Sequence, residues 1–439
     1  MTSGFFTLSE GMSRLFFAFG SFYLLARTLT KEDFGAWVLF MAIVSIVEVA
    51  RVGLMQNGLV KYLATAKEGE YERISTASLV LHLIITGLVV VLFAGLAYPV
   101  ATVMHLPVLS KLFFIYIFTT LVLLPFNQSN FTHQANLNFK GIFFGNTIRQ
   151  AAFFTYVLVM YLSKRELTLT SLAFFQIIAA LMGMVVTVSM ARSYFLFSKK
   201  IDWSWVKKLF HYGKYVFGTN LSAMLYKSID KLMLGMFPNV AGAVAVSLYE
   251  AAMKVTNLSE VPTFSMAAIL FPQSAKRMEQ GREAIRLLYE KAVGAILAVL
   301  IPAIIVVVLF ADLIVRILAG AEYSAAAPVL RLTIFYGFFI PFAVQFGTVL
   351  DSVGKPKINF YFTLMGMVLN VIFNYFFIRH YGVFGAAYGT LLSYGMMFVV
   401  MQIVLYREFG VKAWRVFGYS LAFYKKMIGF GLRKIGFAE

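Results

Sequence analysis

Five acidic and seven basic side chains stand inside otherwise apolar stretches of this 439-residue sequence: Glu10, Glu48, Asp230, Glu250 and Glu260, with Arg14, Arg51, Arg149, Lys227, Lys231, Lys254 and Arg331. Their spacing is regular. Glu10 and Arg14 are four apart, Glu48 and Arg51 three, Lys227 and Asp230 three, and Glu250 and Lys254 four, so each pair shares one face of a helix. Cations so placed can receive an anion, and Arg suits forked phosphate contacts. Carboxylates in the same place can hold Na⁺ or a proton. Arg149 has no acid within one turn, so it either pairs with another helix or joins the same polar space. Arg331 is expected to snorkel to the nearby surface. Glu260, two residues before Pro262, serves either a helix break or an ion.

Other chemistries lack their residues. The sequence has no cysteine, and its five histidines (His82, His105, His133, His211, His380) show no ligand spacing, so neither a metal centre nor a catalytic residue is expected. No G-x-x-x-x-G-K-[ST] phosphate loop occurs, which leaves an ion gradient or substrate supply as the driving force. The only cofactor to expect is a coupling Na⁺ or H⁺.

The elements that carry these charges are set by composition. Sixty per cent of the residues are hydrophobic and 13% charged, with a mean hydropathy of +0.80, where a soluble domain is nearer half apolar and a quarter charged. That excludes a disordered chain, a nucleic-acid-binding domain and an ordinary cytosolic enzyme. Twelve apolar stretches fall at about 5–27, 36–58, 76–100, 111–133, 141–162, 171–191, 215–237, 244–271, 291–312, 328–350, 358–378 and 386–406. Each can cross a hydrocarbon layer of about 30 Å as a helix. The first carries Glu10 and Arg14 and reads as a span rather than a cleavable signal. The longest connection, 192–214, separates a six-span lobe at 1–191 from a second at 215–406, the pattern of two structural repeats. The tail, 407–439, alternates aromatic and basic residues (Lys425, Lys426, Arg433, Lys434) and is expected to lie along the membrane surface.

Positive charge fixes the expected orientation. Alternate loops beginning with 59–75 and ending with the tail hold 24 of the 38 Lys and Arg, and the opposite loops hold seven. Such a bias places both termini in the cytoplasm. Trp37, Trp203, Trp205 and Trp414 lie at or just outside span ends, where amphipathic rings settle. Much of the formal charge of +18 is therefore topological.

A charge at mid-membrane costs about 2.5–3.5 kcal/mol on insertion scales, so it faces protein or a wet cavity. Each pair could simply neutralise itself. The charges concentrate, however, in spans 1, 2, 7 and 8, the first two of each half, and a common water-filled cavity between the halves accounts for depth and distribution together. Pro125, Pro262, Pro302 and Pro341 interrupt spans and are read as packing kinks.

Several segments in order resemble the multidrug/oligosaccharidyl-lipid/polysaccharide exporter superfamily, in particular its Wzx-type polysaccharide flippases. LLARTLTKEDFGAWV, with Glu32, Asp33, Phe34 and Gly35, is similar to the turn after the family's first span. SIDKLMLG holds Asp230, Lys231 and Gly235 in the family's register. SLYEAAMKV (247–255) is similar to another family segment, with Ser247 and Glu250 departing from it. VGKPK (353–357) and NVIFNYFFIRHYGVFGAAYGTLLS (370–393) complete the series.

The resemblance implies an all-α, V-shaped, two-lobed bundle of about twelve helices in the inner membrane, working by alternating access. It implies as substrate an undecaprenyl-pyrophosphate-linked oligosaccharide, an O-antigen or exopolysaccharide repeat unit, moved to the periplasmic leaflet. Arg14, Arg51 and Lys254 fit the family's pyrophosphate-binding positions, with Arg149 as a further candidate. Glu10, Glu48, Lys227, Asp230 and Glu250 are the candidate coupling or cavity charges. Besides membrane lipid, the expected partners are polysaccharide polymerases or glycosyltransferases, with the chain itself a monomer. The competing reading is a cation-coupled drug or metabolite antiporter on the same fold, which would favour carboxylates without adjacent Lys or Arg. A membrane glycosyltransferase would need a large extracytoplasmic loop, and no loop exceeds about 25 residues.

Overall fold

The computed structural model describes residues 2–237 and 242–434, apart from the side chains of residues 2–4, 8, 215, 216, 219 and 426–434. The described residues form helices and no strand. The first six are α1 (Thr2–Thr28), α2 (Lys31–Ala64), α3 (Tyr71–Val103), α4 (Val108–Ala135), α5 (Phe139–Leu162) and α6 (Leu169–Ala191). They are followed by α7 (Trp203–Met236), α8 (Gly242–Thr256), α9 (Glu260–Arg277), α10 (Arg282–Leu309) and the short α11 (Ala311–Leu318). The rest are α12 (Ala326–Thr333), α13 (Tyr336–Ser352), α14 (Pro356–Phe409) and α15 (Ala413–Lys434).

Each expected span has its counterpart. The eighth is α8 and α9 joined by a 3₁₀ turn, Asn257–Ser259, and the tenth is α12 and α13 together. Helix α14 holds the last two spans, broken at Gly382, whose φ of 55° suits a residue without Cβ. By length and composition, seven stretches of the described residues are apolar enough to cross a membrane, one of them this double helix. Helices α1, α5, α7, α8 and α9 are not among the seven, and they carry most of the charges singled out above. The break beside Glu260 falls at Asn257–Ser259, and Glu260 and Pro262 stand in the first turn of α9, where a proline costs no hydrogen bond.

Local sequence explains the helix starts. The Thr30 hydroxyl accepts the Asp33 N–H at 3.1 Å to begin α2, Thr168 and Ser171 form a capping box on α6, and Asp202 caps α7 through the Ser204 N–H. Gly410, left-handed at φ 72°, ends α14.

The chain divides into two compact units: Met1–Ser228 with Gly235–Ser247, and Ile229–Leu234 with Leu248–Glu439. The division runs through α7 rather than through the connection at 192–214. The first half of α7 packs on α2, where a Cβ on Gly213 would collide with the Leu54 backbone and Gly58 lies against Tyr212. In the first unit Met55, Leu59 and Leu63 of α2, Ile74 and Leu81 of α3, Phe131 of α4 and Leu209 of α7 form one core. In the second, Tyr289, Val293 and Leu297 of α10 meet Phe342 and Phe346 of α13 and Met401 and Leu405 of α14. Gly35 of the KEDFG segment is buried at a close approach, since a Cβ there would strike the backbone of Ala243.

The tail has a definite seat on a neighbouring helix. The side chains of Lys426, Arg433 and Lys434 lie outside the described residues, but the first part of α15 packs lengthwise on α10. Lys412 donates its N–H to Glu290 Oε1 at 3.1 Å, Gly294 faces Val416, Tyr419 and Ser420, and the Tyr424 hydroxyl donates to the Ala298 carbonyl. These contacts climb both helices in the same direction. Ala298 lies about 24 Å along α10 from its start. The sequence hides this docking because it depends on a glycine groove in another helix. A Cβ at Gly294 would stand 2.8 Å from Tyr419 Cβ and 2.9 Å from the Val416 carbonyl oxygen. Gly294→Leu should therefore expel α15, cutting the thermal-unfolding midpoint in detergent by several degrees and exposing the segment after Lys412 to limited proteolysis, whereas Gly395→Leu, which faces open space, should do neither.

Candidate functional site

Each unit holds a carboxylate in an ion pair with a basic side chain. In the first, Glu48 and Arg51 stand one turn apart on α2, and Arg51 is 1% exposed. Its Nη2 and Nε donate to Glu48 Oε2 at 2.6 and 3.1 Å, while Nη1 donates to Thr86 Oγ1 of α3 at 3.2 Å and to the Thr120 carbonyl of α4 at 3.1 Å. Four of the five guanidinium N–H groups are thus used. Glu48 Oε1 is buried without a hydrogen-bond partner among the described residues. Arg149 of α5 acts electrostatically on Glu48 and lies 5.1 Å from the centre of the Phe126 ring, with its Nε also unpartnered among the described residues. Beside this group His82 bonds to Gln128 at 3.2 Å, and Gln128 donates to Ser78 at 2.7 Å.

In the second unit the carboxylate is Glu250 of α8. Lys231 of α7 meets its Oε2 at 2.5 Å, and Lys254, one turn along α8, meets Oε1 at 3.4 Å. Glu260 adds an electrostatic attraction on Lys231. Asp230 is buried and turns the other way, accepting the Tyr249 hydroxyl and the Lys231 N–H at 2.8 Å. Tyr249 lies 3.4 Å from the Tyr336 hydroxyl, which donates to the Ala387 carbonyl at 3.0 Å. Asn370 and Asn374 of α14 both donate to Thr390 Oγ1.

The remaining candidates are placed more loosely. Arg14 is exposed on α1 and makes no ion pair with a described residue, so its spacing from Glu10 does not bring the two together. Lys227 is exposed on α7. Arg331 reaches the Asp312 carboxylate and the Val308 carbonyl at the end of its span, in keeping with a side chain drawn toward the surface. Among the described residues no group of His, Cys, Asp and Glu could hold a metal ion.

Spacing along one helix finds Glu48 with Arg51 and Glu250 with Lys254. It does not find the strongest contact at Glu250, which comes from Lys231 on the preceding helix. Nor does it find Thr86, the Thr120 carbonyl or Tyr249, which carry no charge. The one available signal is Lys231's place beside Asp230 in the SIDKLMLG segment.

This arrangement of helices is that of transporters of the multidrug/oligosaccharidyl-lipid/polysaccharide exporter superfamily. The chain superposes with a TM-score of 0.75 on an inward-facing multidrug resistance transporter of that superfamily, at 16% identity over 91% of this chain and 96% of that one. It superposes equally, at 0.75, on the lipid II flippase MurJ in an inward closed conformation, at 13% identity over 99% and 93%. At such identities the likeness shows the fold. The family model described as "Polysaccharide biosynthesis protein" matches residues 24–328, and the chain belongs to that family. A probable low-salt glycan biosynthesis flippase of Haloferax volcanii is 28% identical over 225 residues, 50% of this chain and 46% of that protein. The chain covers less than half the length of the first curated relatives it matches.

Removing one member of a buried pair strands the other, at a cost of about 3–5 kcal/mol. Arg51→Met should thus lower stability by that order, read as thermal unfolding in detergent. Glu48→Met with Arg51→Met should recover a good part of the loss, and equal destabilisation of the single and double variants would show that the pair is not coupled.

Proposed function

We propose that this protein is a flippase for a lipid-linked oligosaccharide, carrying an undecaprenyl-pyrophosphate-linked repeat unit from the cytoplasmic to the outer leaflet by alternating access, with both termini cytoplasmic. The observation that carries the reading is an ion-paired carboxylate in each unit, Glu48 with Arg51 in the first and Glu250 with both Lys231 and Lys254 in the second. A diphosphate headgroup needs convergent positive charge, and a span supplies it at bearable cost only when a nearby carboxylate offsets part of it. Membership in the polysaccharide biosynthesis family supports the same substrate class.

Within this reading the cations divide by exposure. Arg51 is enclosed and committed, so it acts by positioning Glu48 and tying α2 to α3 and α4. Lys254, whose side chain is 29% exposed, is the group we assign to the pyrophosphate in the second unit, and Arg149 and the exposed Arg14 are the candidates the first unit offers for the same chemistry. Glu48, Glu250 and Asp230 are the candidates to bind a coupling Na⁺ or proton. A drug-cation antiporter would use a carboxylate free of basic neighbours. Glu48 and Glu250 are both ion-paired and Asp230 is held by Tyr249, so the flippase reading fits these residues better.

Depletion in the native host tests it. The lipid-linked glycan should accumulate in the cytoplasmic leaflet, as measured by leaflet-selective labelling and mass spectrometry of extracted lipid. Wild type should restore the pool, and Lys254→Gln should fall short by about tenfold or more, the loss expected when a charge-assisted phosphate contact of about 1.5–3 kcal/mol is removed. An unchanged glycolipid pool together with new drug sensitivity would favour the antiporter.

A further inference from the structure

A second group of cations lies outside the charged spans. Lys61 stands in the last turn of α2 and Lys208 in the second turn of α7, both exposed. Lys61 Nζ sits 4.8 Å from the centre of the Tyr212 ring and 5.5 Å from that of Tyr62. Lys208 Nζ sits 4.8 Å from the same Tyr62 ring and 4.0 Å from Trp205. The rings brace one another, with Tyr62 edge-on to Trp205 at 5.5 Å and to Tyr212 at 5.8 Å. Beneath them Tyr62 and Trp205 pack on the core formed by Leu59, Leu63, Val206 and Leu209. Close contact of α2 with α7 at Gly58 and Gly213 fixes the separation of the two helices.

Two like charges therefore share one ring, and no described carboxylate pairs with either. Two acids of the adjoining segments are engaged elsewhere: Asp202 accepts from Ser204, and Glu70 accepts the Lys67 N–H. Ring faces attract each ammonium but do not cancel the repulsion between them. An anion would. Exposed apolar side chains, Phe197, Ile201, Trp203 and Phe210, lie along the same stretch of chain, suited to the headgroup boundary of a bilayer.

We propose that Lys61 and Lys208, cradled by Tyr62, Tyr212 and Trp205, form a seat for the phosphate of an anionic phospholipid. Mass action selects this occupant, because a site facing the bilayer edge meets bulk anionic phospholipid far more often than any scarce lipid. Occupancy offsets one of the two lysine charges, screens their repulsion and holds the ends of α2 and α7 together.

Native mass spectrometry of the full-length protein in detergent, with phosphatidylglycerol or phosphatidylcholine added, tests the seat. Wild type should retain phosphatidylglycerol selectively, with retention falling about fivefold for each of Lys61→Gln and Lys208→Gln and on the order of 25-fold for both. Lys199→Gln with Lys200→Gln removes the same charge from the same segment without touching the rings, and should change retention little. Lys61→Arg with Lys208→Arg keeps the charge and should keep the lipid, which covers the case of a Gln variant that fails to fold. Equal losses in the 199/200 and 61/208 double variants would overturn the seat in favour of diffuse attraction. Displacement of the lipid by equimolar inorganic phosphate or geranylgeranyl diphosphate would overturn the choice of a phospholipid as occupant.

Discussion

Hydrocarbon does not solvate an isolated charge, and the arrangement of both units follows from that. Arg51 is tolerated because Glu48, Thr86 and the Thr120 carbonyl together replace the water it gives up. Lys231 and Lys254 are tolerated because both meet Glu250, with Asp230 and Glu260 adding attraction on Lys231. The same demand governs the backbone where helices break. At the junction of α8 and α9, Thr256 bonds to Thr333 and Gln345 donates to the Thr263 carbonyl, while Tyr336 covers the Ala387 carbonyl in the second half of α14. Broken helices in this chain are thus accompanied by polar side chains of neighbouring helices.

That demand also explains where the two compact units divide. The first half of α7 is held to α2 by close backbone approach at Gly213, with Val206 and Leu209 in the core they share. Further along, α7 carries Asp230 and Lys231, whose partners Tyr249 and Glu250 belong to α8. Polar pairing captures this turn for the second unit although the helix is continuous. A boundary placed in the most hydrophilic loop, 192–214, follows charge and length, whereas the structural boundary follows the pairing of two residues.

Much of this was legible in the residues. Twelve apolar stretches and the break near Glu260 follow from hydropathy and Pro262, because membrane thickness and backbone satisfaction leave few alternatives. Glu48 with Arg51 is legible because partners three apart on one helix must share a face. Lys231 with Glu250 is not, since it depends on how α7 returns into α8. Glu10 with Arg14 shows the converse, for the spacing is right and the two remain apart. The docking of α15 escapes for a related reason: its own sequence shows only amphipathicity, and the groove that seats it is at Gly294 on α10.

The two lysines on Glu250 are not equivalent, and the difference bears on how a cation already in an ion pair could serve an incoming phosphate. Lys231 approaches to 2.5 Å and Lys254 to 3.4 Å. At an effective dielectric near 20, attraction to Glu250 at these two separations differs by roughly 2 kcal/mol, so of the two lysines Lys254 is the one Glu250 holds less tightly. Redirecting it leaves Glu250 still neutralised by Lys231, and no bare carboxylate appears in the span. Arg51 has no such freedom, because turning it would strand Glu48 and leave Thr86 and the Thr120 carbonyl without their donor. In the proposed transport cycle, then, binding belongs to the cation whose carboxylate has a second partner, and the fully enclosed arginine keeps the helices in place.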